Sequence, residues 1–208
     1  MAEIAYPKPY ISNGLIFHLD SRDVNGSTWV DRAGGKVLTL YNTTLQNGGV
    51  RFTGNRYCRA EAGDGVTLTA PAGSSTIEVV GHRLAKKSRE LIFIPGVNSS
   101  IFYVGRNTYV TLGSSVRLAQ FTAPLPVGKF THSLRATLHY YNGTKMTTTS
   151  STVVANTDTK ICVGGNSAAG NYGFNGVIYQ VRIYNRLLTE DEIKFNQEQD
   201  RKRYGIQF

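Results

Sequence analysis

The chain has 208 residues, 23 Lys+Arg against 14 Asp+Glu, a formal net charge of +9 and 40% hydrophobic residues. That length allows one sandwich or barrel, or two small domains, and the apolar content is enough for a sizeable core. It excludes an unfolded, highly charged chain, and no apolar run is long enough to span a membrane.

Residues 1–13, "MAEIAYPKPYISN", show neither helical nor strand periodicity and are read as an N-terminal arm; 14–208 are read as a single domain. The arm has no basic start followed by an apolar stretch, so no secretory signal is expected and the chain is expected to be a complete cytoplasmic product. "GLIFHLD" follows, with Leu15, Phe17 and Leu19 spaced for one face of a strand. "SRDVNGSTW", Ser21 to Trp29, approaches the S-x-D-x-G-x-T-W box of sialidase propellers. It has one residue too many between Asp23 and Gly26 and occurs once, so it reads as a turn ending on a core tryptophan. Asp20, Asp23 and Asp31 are oxygen donors of the kind calcium takes, but no EF-hand spacing joins them. They are read as solvated turn acids, and no cofactor is expected.

Short strands then follow: "KVLTLY", "VRF", "YCRA", "VTLT", "STIEVV", "ELIFI", "SIFYVG", "TYVTL", "SVRLAQF", "KFTHSLRATLHY", "KMTTTS" and "KICVGG". Turn residues recur between them at the spacing of a sandwich or barrel, and "YNG" at Tyr141–Gly143 predicts a hairpin. There is no alternation of strand and helix and no fixed-period repeat, so the prediction is all-β, two packed antiparallel sheets. Cys58 and Cys162 belong to no metal-ligand cluster and are expected to stay reduced. His18, His82, His132 and His139 show no metal spacing on a shared face. The tightest basic groups are Arg83, Lys86, Lys87, Arg89 and Arg201, Lys202, Arg203. Neither accompanies a nucleic-acid-binding motif, so the charge is read as a solubilising surface or a dock for an acidic partner, with no nucleic-acid or membrane partner.

"VGGNSAAGNYGFNG" lacks the G-K-[ST] ending of a phosphate loop. Asn166, Asn171, Tyr172 and Asn175 within it offer amides and an aromatic face, the groups that hold sugars, and are weak glycan-binding candidates against a plain surface loop. The chain closes on "NGVIYQVRIYNRLLTEDEIKFNQEQDRKRYG". Val177, Tyr179, Val181 and Ile183 alternate with Ile178, Gln180, Arg182 and Tyr184, a strand with one buried face. Thr189 and Glu192 form a capping box, Leu188 and Ile193 a hydrophobic staple, and Gly205 lies beyond the end. A helix is predicted over about 190–200.

The order of pieces carries a resemblance. "GLIFHLD", Trp29-x-Asp31 with Gly34 and Gly35, "GKFTHSLRATLHYYNG" and "FNGVIYQVRIYNRLLTEDEI" are similar to the laminin-G-like group of concanavalin A-like jelly rolls. Phe130 replaces the usual tryptophan of that family's G-x-W-x-H strand. The resemblance implies that the last strand returns beside the first and that the short helix seals one end of the sandwich. Glycosidases of this fold carry E-x-D-x-x-E on one strand; here Glu78 is followed by Val80 and Arg83, which argues against hydrolysis. The closing stretch is similar to domains of tailed-bacteriophage virion proteins and of gut-bacterial surface proteins. The expectation is a non-enzymatic virion accessory protein, docking on capsid or other virion proteins and located on the virion. The alternative is a glycan-binding adhesion module that recognises host-surface glycans. The oligomeric state is not readable from the sequence.

Overall fold

The computed structural model describes residues 9–55, 57–63, 75–85, 91–92, 102–103, 107–112, 115–120, 126–135, 138–146, 153–155, 161–165 and 173–208. The strands in chain order are β1 (Leu15–Asn25), β2 (Thr28–Asp31), β3 (Val37–Tyr41), β4 (Thr44–Gln46), β5 (Gly49–Thr53), β6 (Arg59–Ala62), β7 (Thr76–Arg83), β8 (Leu91–Ile92) and β9 (Phe102–Tyr103). They continue as β10 (Asn107–Leu112), β11 (Ser115–Gln120), β12 (Gly128–Arg135), β13 (Leu138–Tyr141), β14 (Thr144–Met146), β15 (Val153–Ala155), β16 (Cys162–Val163) and β17 (Asn175–Tyr184). One helix follows, α1 (Glu190–Tyr204). The fold is a mostly β concanavalin A-like sandwich with its helix near the C-terminus, in agreement with the sequence.

Among the described residues the main sheet runs β14-β13-β12-β7-β17-β1-β2-β3-β6-β16, with β5 added to β17 and β4 to β5. The sets β10-β11-β15 and β8-β9 form smaller sheets. The closing strand does return beside the first: β17 pairs with β1 from Leu15↔Tyr184 to Asp20↔Gln180. Farther along β1 the partner becomes β2, and the register breaks between Leu19 and Val24. Such a break bends and twists the strand. Both arms of the sheet therefore feed one core, with Phe17, Trp29, Leu38 and Phe52 meeting Ile77, Val79, Phe130, Val181 and Ile183. Phe130, in the place of the family's tryptophan, stacks on Tyr141 at 5.7 Å and meets Phe174 edge-on at 6.2 Å.

Three sequence expectations shift. "KFTHSLRATLHY" is two antiparallel strands, β12 and β13, and the Asn-Gly turn then joins β13 to β14 with Asn142 and Gly143 at φ 46° and 76°. Strict alternation fails in β17: Ile178 pairs with Gly81 but Gln180 with Val80, so Tyr179 is an extra residue. This bulge reverses the parity. Ile178, Val181 and Ile183 enter the main core, whereas Val177 and Tyr179 join Val80 and Ile206 on the other side. A register shift between Leu15 and Phe17 acts likewise, placing Leu15 against Tyr140, Tyr184 and Leu188.

Helix α1 lies on the face of the sheet away from this core, over β12, β7 and β17, so it covers an outer face rather than sealing one end of the sandwich as the resemblance implies. Its start follows the sequence signals: Thr189 Oγ1 accepts from Glu192 N at 3.2 Å, and Glu192 Oε2 accepts from Thr189 N at 2.8 Å. Leu188 and Ile193 are both buried in one cluster. The helix runs to Tyr204, beyond the expected end, and stops where Gly205 adopts a left-handed φ of 60°. Thr189→Ala is expected to lower stability by about 0.5–2 kcal/mol, because the cap's hydrogen bond is lost. An unchanged urea midpoint in this variant would detach the cap from the fold's stability. Residues 9–13 of the arm lie against the same chain. Ile11 N donates to Asn196 Oδ1 at 3.1 Å, and the Tyr10 ring lies 3.9 Å from the Arg182 guanidinium carbon.

Candidate functional site

Of the four sugar-binding candidates, Asn166, Asn171 and Tyr172 lie outside the described residues. Asn175 opens β17, where its Oδ1 accepts from Arg51 Nη2 at 2.9 Å and its backbone pairs with Thr53. At this edge Gly165 and Gly173 pair in an isolated bridge. A Cβ on Gly173 would stand 2.7 Å from Asn55 O, and Gly54 N donates to Phe174 O at 2.9 Å. The β5–β6 connection is thus locked against the entry to β17.

That connection presents Tyr57, which is 51% exposed. Its backbone is fixed at both ends: Tyr57 N donates to Asn55 Oδ1 at 3.0 Å, and Tyr57 O accepts from Asn42 Nδ2 at 3.0 Å. Buried Cys58 holds the turn from below, its Sγ accepting from Thr53 N at 3.3 Å and donating to Asn42 O at 3.1 Å. Asn42 takes a left-handed φ of 51°, which asparagine tolerates better than most residues. Beside it Tyr41 is 40% exposed, with Arg59 lying over its ring at 4.6 Å. The edge therefore carries two exposed tyrosines, the amides of Asn42, Asn55 and Asn175, and the Arg51 guanidinium. Each asparagine is pinned through one end of its amide, so the other end is the one a ligand can use. Rigid aromatic faces flanked by fixed amides suit a polar ligand with apolar faces. Sequence reasoning missed Tyr41, Asn42, Asn55 and Tyr57. Their turn residues carry no motif, and only the tertiary approach of β3, β5 and β17 brings them together.

The carboxylates do something else. Glu78 is fully buried between β7 and α1, accepting from Ser133 Oγ at 2.9 Å, Arg182 Nε at 2.9 Å and Asn196 Nδ2 at 2.8 Å. Burial raises its pKa, and Arg182 opposes the rise. Val80 and Arg83 are buried as well. No substrate reaches this carboxylate without displacing α1. The three acids weighed for calcium are also not solvated turn acids as a set. Asp31 is 1% exposed and ties its own turn, accepting from His18 N at 2.7 Å, Ala33 N at 2.9 Å and Gly34 N at 2.9 Å. Asp20 is fully buried under arginines, and Asp23 pairs with Arg32. Among the described residues no group of three or more His, Cys, Asp or Glu could hold a metal ion.

His132 and His139, seven residues apart in sequence, do meet across the β12–β13 hairpin, with ring centroids 5.8 Å apart. Both are fully buried, and burial pushes both pKa values down, that of His139 to about 4. Of the basic groups, Arg83 is buried rather than a surface charge. Lys86, Lys87 and Arg89 lie outside the described residues. Arg201 and Lys202 pair with Glu198, and Arg203 with Asp20. A shallow groove of about 440 Å³ lies between the Asn142–Thr144 turn and Lys194, Glu198 and Phe208. No helix among the described residues is long and apolar enough to cross a membrane.

A mostly antiparallel sandwich whose last strand returns beside its first, with a capped helix over one outer face, defines the jelly-roll class. The family model described as the concanavalin A-like lectin/glucanases superfamily matches residues 62–194, well over half of the chain. The chain belongs to that family. Curated proteins yield no sequence match. Among solved structures, Trypanosoma rangeli sialidase in complex with sialic acid is similar at 16% identity and a TM-score of 0.58, over 88% of this chain and 32% of the sialidase. The chain thus spans about a third of that protein's length. Domain 4 of the extracellular arabinanase AbnA from Geobacillus stearothermophilus, in complex with arabinotriose, is similar at 14% identity and a TM-score of 0.59. That likeness covers 86% of this chain and 96% of the domain. The binding domain of botulinum neurotoxin DC in complex with rat synaptotagmin II is similar at 12% identity and a TM-score of 0.57, over 90% of this chain and 52% of the other. At these identities the likeness is one of fold.

Proposed function

We propose that the protein is a non-enzymatic glycan-binding module, with the edge formed by Tyr57, Tyr41, Asn42, Asn55, Arg51 and Asn175 as its sugar-contacting surface. The observation that carries this reading is the exposed Tyr57 ring, whose backbone is hydrogen-bonded on both sides beside two part-used amides. A platform fixed before binding loses little entropy on meeting a ligand, and a tyrosine ring offers an apolar face to the C–H face of a sugar. The arabinotriose-bound domain, matched over nearly its whole length, supports a module of this size acting as a sugar-binding unit. The burial of Glu78 behind Arg182 supports the absence of hydrolysis. The virion-docking expectation rested on the closing stretch of sequence. That stretch builds the core strand and the covering helix, and the comparisons favour the alternative, glycan binding.

Titration calorimetry with arabino-, galacto- and gluco-oligosaccharides and sialosides tests this. At least one class is expected to bind saturably, and Tyr57→Ala is expected to weaken it tenfold or more, about 1.4 kcal/mol, without shifting the melting transition. No reducing sugar is expected to be released. Binding that is indifferent to Tyr57→Ala moves the site elsewhere. Turnover that disappears in Glu78→Gln overturns the non-enzymatic reading.

A further inference from the structure

We propose that the arginines gathered on Asp20 form an anion site for an acidic glycan, a sugar chain bearing carboxylates or sulfates. The proposal rests on glycan binding as the function and supplies the ligand's chemical class.

The site is built from three parts of the chain. Asp20 and Arg22 come from β1, Arg32 follows β2, and Arg203 lies in the last turn of α1. Asp20 Oδ1 accepts from Arg22 N at 3.1 Å and Arg22 Nε at 3.0 Å. Its Oδ2 meets Arg22 Nη2 at 2.7 Å, Gln180 Nε2 at 2.8 Å, Arg203 Nη2 at 3.0 Å and Arg32 Nη1 at 3.2 Å. A carboxylate offers about four lone-pair positions, so this one is oversubscribed. Arg32 turns its other edge to Asp23, with Nη2 to Oδ1 at 3.0 Å. Three guanidiniums against two carboxylates leave one positive charge in excess, and N–H donors in larger excess.

Exposure decides what an approaching ligand meets. The Asp20 side chain is 1% exposed, whereas those of Arg22, Arg32 and Arg203 are 59%, 37% and 17% exposed. The Asp20 carboxylate lies underneath and fixes the guanidiniums from behind; the outer surface is mainly cationic, with Asp23, 27% exposed, paired to Arg32 at its side. Held side by side, these planar forks suit the two oxygens of a carboxylate or sulfate. The C-terminal end of α1 brings partial negative charge to the same place. Its last carbonyls are occupied: Arg201 O accepts from Gly205 N and Ile206 N, and Tyr204 O accepts from Lys129 Nζ. The half-buried Tyr204 ring, stacked on Tyr179 at 4.8 Å, adjoins Arg203 and gives the sugar ring an apolar neighbour. Ser21 Oγ donates to Gly48 O at 2.6 Å, which puts the cluster at the start of β5. The far end of β5 leads to Asn55 and Tyr57, with Asn55 roughly 20 Å from the start of the strand at about 3.3 Å per residue. An oligosaccharide therefore has the reach to touch both places.

The test is calorimetry at low and high salt with an oligogalacturonate, a sulfated galactan oligosaccharide and a neutral galactan oligosaccharide of equal length. It compares the parent, Arg22→Gln/Arg32→Gln and Tyr57→Ala, with melting curves as a folding control. The acidic chains are expected to bind at least tenfold more tightly than the neutral one, an advantage that shrinks with salt and disappears in the double arginine variant. Preference for only one acidic chain identifies the anion. Acidic chains that bind no better than neutral ones, or an advantage that survives Arg22→Gln/Arg32→Gln, overturn the proposal. If the neutral chain still binds through Tyr57 in that case, glycan binding stands and only the anion site falls. If no chain binds, both fall.

Discussion

Arg182→Met is expected to destabilise the protein by about 3–5 kcal/mol in urea unfolding at pH 7, the cost of stranding buried charge. Arg182 and both its carboxylate partners are fully buried. Its Nε donates to Glu78, Nη1 donates to Asp200 Oδ1 at 2.8 Å and Gln180 Oε1 at 2.6 Å, and Nη2 donates to Asp200 Oδ2 at 2.7 Å. Burial alone would lower the arginine's pKa; Asp200 and Glu78 outweigh it and hold the value well above the ordinary one. With Arg182 gone, two carboxylates remain under α1, retaining Asn196, Ser133 and Thr131 as hydrogen-bond donors but no cation of comparable contact. Adding Glu78→Gln and Asp200→Asn is expected to recover at least half of the loss, because neutral amides cost less to bury than charges. A single variant as stable as the parent would show that water reaches this network. A triple variant no better than the single one would locate the arginine's contribution in packing against Tyr10 instead.

This network also marks where the sequence stopped being legible. The β17 pattern predicts one buried face, and Arg182 falls on the other, which in an isolated strand would face solvent. The capping box, the staple and Gly205 announce α1 and fix where it begins. Its landing place is set by Asn196, Gln197 and Asp200, polar residues that read as an exposed helical face and are buried. Gln197 donates to Ser133 Oγ at 2.9 Å and to Tyr140 O at 3.1 Å, and Asp200 accepts from Thr131 Oγ1 at 2.8 Å. Hydrophobic periodicity cannot report an interface held together by hydrogen bonds. The bulge at Tyr179 is hidden for a related reason, since an extra residue changes the parity of a strand without leaving a turn signal. At the candidate site only Asn175 could be placed from sequence. Tyr57 becomes meaningful through distant parts of the chain: Asn42, 15 residues away, holds its carbonyl, and Phe174, more than a hundred residues away, holds the same connection at Gly54.

The second large effect expected is loss of stability in mild acid, about 4 kcal/mol between pH 7.5 and pH 5.0 from His18 and His139 together, with His132 acting in the same direction. His18, His132 and His139 are buried. Burial lowers the pKa of His18 to about 4, helped by the nearby Arg182 charge and opposed by Asp20. Burial lowers His139 to about 4 and His132 well below its ordinary value, the latter helped by His139. The unfolded chain takes up these protons near pH 6.5 and the folded chain does not. Protons therefore favour the unfolded state: the stability is whole above about pH 6.5 and is lost as pH falls toward the folded values. pH 5.0 is about 1.5 units below the unfolded pKa of His18 and His139, which makes roughly 2 kcal/mol for each. Glu78 works the other way, because its raised pKa makes proton uptake favour the folded state and returns part of the loss. Glu192, lowered to about 2 by its hydrogen bonds from Arg186, keeps its contribution in this window and loses it only at lower pH. Urea midpoints at the two pH values measure the effect, which is a large fraction of a typical domain's 5–15 kcal/mol. His139→Gln, compared at both pH values, is expected to remove about 2 kcal/mol of the difference. Equal midpoints for the parent at pH 7.5 and 5.0 would mean that the three rings take up protons in the folded protein as readily as in the unfolded chain, and that the hairpin carrying His132 and His139 admits water.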